Sequence, residues 1–332
     1  MHILENINLK NELSRSYIDC LYGVLTPINY FDGSSFMLSG MTGMAFKFVA
    51  HKNLIPASTE VYSVGESSWR AVDMLGIYSE IYSGVNSSLT FPLYQENTLR
   101  RIKESIVNRK GVLTWAPGLM EFGVINGYDD EDEVLYYKDR VKQFNQVMLY
   151  KNFGKTNAAF WICQIIGDRI DKDIRDIYID SLEVCIDEWE IPYKANPHTR
   201  EEFGSGKKAY EYLINALEAQ DYHKWGVCKI INYNILSKNE TYFYMNKVKD
   251  EFPDLSTAAN KYKVLNDIYQ EIHEIVPEDY QLNRIKNADL PQLIQYFKQA
   301  LEVEGEAVGE VKEYLKEILG NRYIDILDVK KY

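Results

Sequence analysis

Along the second half of the chain, apolar residues recur at helical spacing. Ile170, Ile174, Ile177 and Tyr178 share one face, which Cys185 and Trp189 continue until Pro192 and Pro197 interrupt it. Tyr210, Leu213 and Leu217 repeat the pattern. Asp289 with Pro291 marks a helix start, followed by Leu290, Ile294, Phe297 and Leu301; Val308, Val311, Leu315 and Ile318 do the same later. Before residue 150 the pattern is different. Ser14, Ser16 and Asp19 are candidate caps for an early helix carrying Cys20, Leu21, Val24 and Leu25, ended by Pro27. Met44 to Val49 reads as a strand, and Ser67 to Leu75 and Glu96 to Arg109 as helices. The period then drops to two, giving strands at Gly111–Trp115, Glu121–Asn126 and Val134–Asp139 with short connections. These readings predict an α+β protein. A domain with an antiparallel meander spans residues 1–150, and an all-helical domain spans 151–332.

Composition narrows the function classes. The chain has 332 residues, 46% hydrophobic and 26% charged, enough for a sizeable core without metal or disulfide staples. No run reaches the length of a membrane helix, and the charged first twenty residues lack an apolar signal core. A cytoplasmic location is therefore expected. Asp and Glu number 49 against 37 Lys and Arg, a formal charge of −12, which disfavours nucleic acid and anionic membranes as partners. The four cysteines show no metal-ligand spacing, so neither a metal nor a cofactor is expected, and reduced thiols are.

Few residues carry candidate chemistry. Gly204-Ser-Gly-Lys-Lys208 has only part of a phosphate-loop pattern and reads better as a helix-start loop. The acidic run Asp129–Glu133 lacks the alternation of a calcium loop and reads as a solvated turn. The five histidines show no i, i+3 or i, i+4 pair. His51 follows a strand candidate in the glycine-rich region and is a candidate base or substrate-binding residue. Cys20, placed near the start of the early helix, is a candidate nucleophile, because helix-start amides lower a thiol pKa. A small buried core residue is the other reading. Cys163, Cys185 and Cys228 fall in helical apolar patterns and read as structural.

An early Cys on a helix, followed later by a strand–Gly-Tyr-Asp-Asp–strand unit, resembles a papain-like cysteine domain of the bacteriocin-leader-peptidase-like group. Within that group the chain is similar to the butirosin biosynthesis protein H N-terminal domain family. Asp19-Cys20, the run Gly40-Met-Thr-Gly-Met-Ala-Phe46 and the segment Phe122 to Asp130 carry the resemblance. It covers about residues 15 to 145. It implies acyl transfer in specialised metabolism, from a thioester donor to an amine acceptor. Cys20 would then be the nucleophile, position 121 the base and Asp139 the orienting acid. A small-molecule amine and an acyl carrier protein are the implied partners. Arg100, Arg101, Lys103, Arg109 and Lys110 would offer a docking face, or simply a solvated helix surface.

Two positions depart from that pattern. Ser14 stands where the oxyanion-donating Gln is usual, and Glu121 stands where His is usual. A carboxylate is a weak base for a thiol, and its charge disfavours the thiolate. Three mechanisms stay open: Cys20 is acylated with another base such as His51; Glu121 serves as base for an amine attacking the thioester directly; or the site is catalytically degenerate and binds a small amine, with Glu121 as counter-charge. Thiol hydrolysis of an amide is a further possibility under the same resemblance. Glu121, as a strand-start carboxylate, is expected to find a partner in Asn126, His51 or a Tyr hydroxyl, and Asn126, like His51, is a candidate substrate-binding residue.

Overall fold

The computed structural model describes residues 1–10, 12–59, 64–118, 120–142, 144–155, 160–193, 202–279 and 284–319. The chain forms two compact units. Residues 1–42 and 64–172 make the first, and 43–63 and 173–332 the second. The fold is α+β, with an antiparallel sheet in the first unit and a helical C-terminal region.

The first unit contains β1 (His2–Ile3), α1 (Ser16–Leu25) and α2 (Ser35–Met41). After the excursion of 43–63 it resumes with α3 (Val64–Asp73), β3 (Ile77–Val85) and α4 (Phe91–Val107). It ends with β4 (Val112–Trp115), β5 (Phe122–Asp129), β6 (Val134–Asp139), β7 (Gln146–Leu149) and β8 (Phe160–Arg169). The sheet order is β3-β8-β4-β5-β6-β7, with every described pair antiparallel. β4 pairs only with residues 122–125 of β5; β1 lies against its far end, His2 opposite Tyr128 and Ile3 opposite Gly127. The expected meander of β4, β5 and β6 is present, but β8 lies between β3 and β4. The boundary expected at residue 150 therefore falls at 172. Cys163 sits in β8 rather than in a helix.

The sheet is covered on both faces. On one, α4 places Ile102 and Ile106 over Val112, Ile125, Tyr137, Trp161 and Cys163. On the other, α1 packs against β4 and β5, with the Tyr17 ring edge-on to Phe122. α1 is buried almost all round: Tyr17, Ile18, Cys20, Leu21, Val24 and Leu25 are fully inaccessible, as expected for a helix without a polar face.

The second unit contains β2 (Val49–His51), α5 (Ile174–Glu190), β9 (Phe203–Ser205), α6 (Lys207–Ala219), α7 (Lys224–Glu251), α8 (Ser256–Ile275) and α9 (Leu290–Leu319). The strand expected over Met44–Val49 is a 3-10 turn at Met44–Phe46, followed by β2, which pairs with β9. Gly206 lies between β9 and α6 with φ +50°, where a Cβ would stand 2.2 Å from the Glu188 carbonyl oxygen. That close approach explains the glycines here without a phosphate. Pro192 follows α5, and Pro197 lies outside the described residues.

This unit has a polar interior. Lys238 Nζ donates to Glu304 Oε1 at 2.5 Å, and Tyr210 donates to Glu304 Oε2 at 2.6 Å. The Tyr210 and Tyr269 hydroxyls are 2.8 Å apart, and Lys47 pairs with Glu188 at 2.7 Å. No helix among the described residues is long and apolar enough to cross a membrane.

Candidate functional site

α1 begins at Ser16, with Arg15 as its N-cap. Phe122 N–H donates to Ser16 Oγ at 3.1 Å, which fixes the start of β5 against the start of α1. Glu121 is the residue just before β5. Its carbonyl accepts from Ala116 N–H at 2.8 Å, and the residue is half-buried. β5 and β6 pair Gly123 with Asp139, so Asp139 ends β6 at the same edge. The first turns of α1, the start of β5 and the end of β6 thus converge. Cys20, Glu121 and Asp139 are brought into one electrostatic neighbourhood.

The state of Cys20 differs from the expectation. It lies in the second turn of α1, four residues past the helix start, and no part of it reaches solvent. Burial pushes its thiol well above the ordinary range, and the neighbouring Asp19 carboxylate adds to this. The Arg140 guanidinium opposes the shift, while Glu121 and Asp139 reinforce it. Helix-start amides are therefore not what this thiol experiences. The side chain at the helix start is Ser16, which the sequence reading considered only as a cap.

Asp139 has a different occupation from an orienting acid. Its Oδ1 accepts from Val141 N–H at 3.0 Å and Lys142 N–H at 2.7 Å, closing the turn after β6. Its Oδ2 accepts from Gln146 Nε2 at 3.0 Å, and Gln146 Oε1 accepts from the Tyr137 hydroxyl at 3.3 Å. Next to it, Arg140 Nε lies 3.3 Å from Asp19 Oδ2, and Arg140 Nη2 donates to the Leu13 carbonyl. This buried link ties β6 to α1 and its approach. Arg140 carried no sequence signal, because its partners are more than a hundred residues away.

Asn126 does not turn toward Glu121. It is fully buried at the bulge of β5, where its Nδ2 donates to the Leu4 carbonyl at 3.2 Å and to Asn145 Oδ1 at 2.9 Å. Its role is to hold the segment after β1. His51 belongs to the second unit. There its Nδ1 accepts from Asn53 N–H at 3.0 Å and its ring meets Phe203 edge-on. Burial lowers its pKa from the ordinary histidine value.

The basic face of α4 is largely neutralised. Arg100 pairs with Glu104 at 2.6 Å, Arg101 with Glu80 and Glu104, and Lys103 with Asp130 at 2.5 Å. Lys110 donates to the Gly167 carbonyl at 2.5 Å. This matches a solvated, internally paired helix surface better than a field for an acidic carrier.

No family model matches the sequence, and no curated protein matches it.

Proposed function

We propose that the first unit is a papain-like domain in which cysteine catalysis is absent, and that it binds a small amine-bearing ligand beside Glu121. The observation that carries this reading is the state of Cys20: fully inaccessible, with burial first, and Asp19, Glu121 and Asp139 after it, opposing the thiolate against the Arg140 guanidinium. A nucleophile must reach its substrate as a thiolate, and this one does neither. Asp19 is engaged by Arg140, and Asp139 by Val141, Lys142 and Gln146; the half-buried Glu121 carboxylate is the group to which a protonated amine would be drawn.

Acyl transfer by direct attack is the second reading. It is supported by the Phe122–Ser16 hydrogen bond, which holds Glu121 beside the start of α1. Helix-start amides favour developing negative charge, and a thioester is activated enough for a modest base. One set of assays separates the two. A panel of primary amines is tested for thermal stabilisation, alone and with model acyl thioesters. Binding predicts stabilisation by amine alone, lost in Glu121→Gln and kept in Cys20→Ala. Direct transfer predicts amide product, again lost in Glu121→Gln and kept in Cys20→Ala. Product that disappears in Cys20→Ala would overturn both and restore covalent catalysis.

A further inference from the structure

The loop between β4 and β5, the outer part of β6, β7 and the turn that follows enclose a cleft of about 580 Å³. That lies within the range of small-molecule sites, roughly 300–1,000 Å³. Its lining is unusual for so acidic a protein: the described residues around it include one cation, Lys155, and no carboxylate. Lys155 is exposed and makes no ion pair with the described residues. Asn152 and the Tyr137 hydroxyl add polar groups. The lining also holds apolar side chains that are left open: Met120 is 46% exposed, Val147 60% and Leu149 38%. Asp139 stands against Gly118, where a Cβ would be 3.1 Å from Oδ2, but its oxygens are already occupied by Val141, Lys142 and Gln146.

We infer that this cleft binds a small organic carboxylate with an apolar body. The carboxylate would pair with Lys155 and accept from the Asn152 amide; the body would cover Met120, Val147 and Leu149. Charge complementarity selects the anion: in a chain of formal charge −12, a concavity whose described lining offers a lysine and no carboxylate repels least, and holds best, a negative ligand. The exposed apolar side chains select a ligand with hydrocarbon to bury. The inference does not rest on the reading of Glu121.

The test uses the full chain and hexanoate, octanoate and 3-phenylpropionate, with the matched primary amides and amines as controls. Titration calorimetry and thermal shift report binding. Saturable carboxylate binding is expected, tighter for octanoate than for hexanoate, with the amides and amines weaker by about tenfold or more, as for loss of a charge-assisted hydrogen bond. Lys155→Gln should weaken the carboxylates by a similar factor, and Val147→Asp, at an exposed position, should abolish binding. Lys151→Gln, a neighbouring surface charge outside the cleft, should change little. The inference is overturned if no carboxylate binds, if amides bind as well, if Lys155→Gln has no effect, or if Lys151→Gln weakens binding equally.

Discussion

Lys238→Met is the most exacting test of how the helical unit is held together. The Lys238 side chain has no exposure, and that of Glu304 has 6%. Their 2.5 Å contact is joined by Tyr210 on the second Glu304 oxygen, and Tyr210 reaches Tyr269 in turn. Removing the ammonium leaves a buried carboxylate with the Tyr210 hydroxyl as its donor among the described residues. Truncating one partner of such a pair costs about 3–5 kcal/mol, much of it the penalty of the stranded charge. At about 2–4 °C per kcal/mol for a unit of this size, the melting midpoint should fall by about 6–20 °C. Glu304→Leu should be similarly costly, because it strands Lys238. The double variant should cost less than either single, since apolar groups replacing a whole buried pair are neutral to stabilising, and Tyr210 keeps Tyr269 as a partner. Urea and thermal unfolding followed by far-UV circular dichroism give the four corners of the cycle. A single substitution costing under about 1 kcal/mol, or a double equal to the sum of the singles, would refute the reasoning.

Three further outcomes follow from the same geometry. Tyr210, Tyr244, Tyr262 and Tyr269 have pKa values raised chiefly by burial, so the folded state holds these protons after the unfolded chain has released them. Their contribution to stability should be level below about pH 9 and fall above pH 10 by up to about 1.4 kcal/mol per pH unit for each tyrosine; unfolding curves unchanged between pH 9 and 11 would contradict this. Asp139→Ala should cost about 1–3 kcal/mol by stranding Val141 and Lys142 N–H, with Asp139→Asn recovering most of it, as measured by urea midpoints. Brief iodoacetamide treatment of the native protein should label Cys20 no faster than Cys163 or Cys185, the last pushed up to about 12, and all three should react on unfolding; fast native labelling of Cys20, read by mass spectrometry, would restore it as a nucleophile.

The antiparallel core and the helical region were legible because their local patterns agreed with their tertiary roles. β4, β5 and β6 are short β-rich runs bounded by turn residues and are buried on both faces, and α5 and α6 keep an apolar stripe. β3 and β8 were not read. β3 is an edge strand with Ser79, Glu80 and Ser83 among its residues, and β8 carries a buried Gln164 whose partners, Ser68 and Ser79, are remote in sequence. α7 was equally opaque, since it buries Lys229, Asn234, Lys238 and Glu240 where a pattern reader expects hydrocarbon. For the candidate site, the neighbourhood of Cys20, Glu121 and Asp139 was legible from motif order. Its internal roles were not. The depth of Cys20 depends on which residue opens α1, and the duty of Asp139 depends on backbone amides that no side-chain pattern encodes. Asn126 and His51 do not partner Glu121, because nearness along the chain, or a shared glycine-rich context, is not position in space.

The departure of residues 43–63 from the first unit has a consequence for the order in which a ribosome delivers this protein. Strand β2 finds β9 only after more than 150 further residues have been made, the register of Val49 with Ser205 being the closing contact. Residues 1–172 hold every strand of the large sheet, yet they also include Ala45, Phe46 and Phe48, whose burial belongs to helices not yet synthesised. A nascent or prematurely ended chain therefore shows a sticky apolar loop at the stage when its sheet is already complete. That loop is a natural handle for chaperones, and a nick within it would leave both units with an unmatched piece.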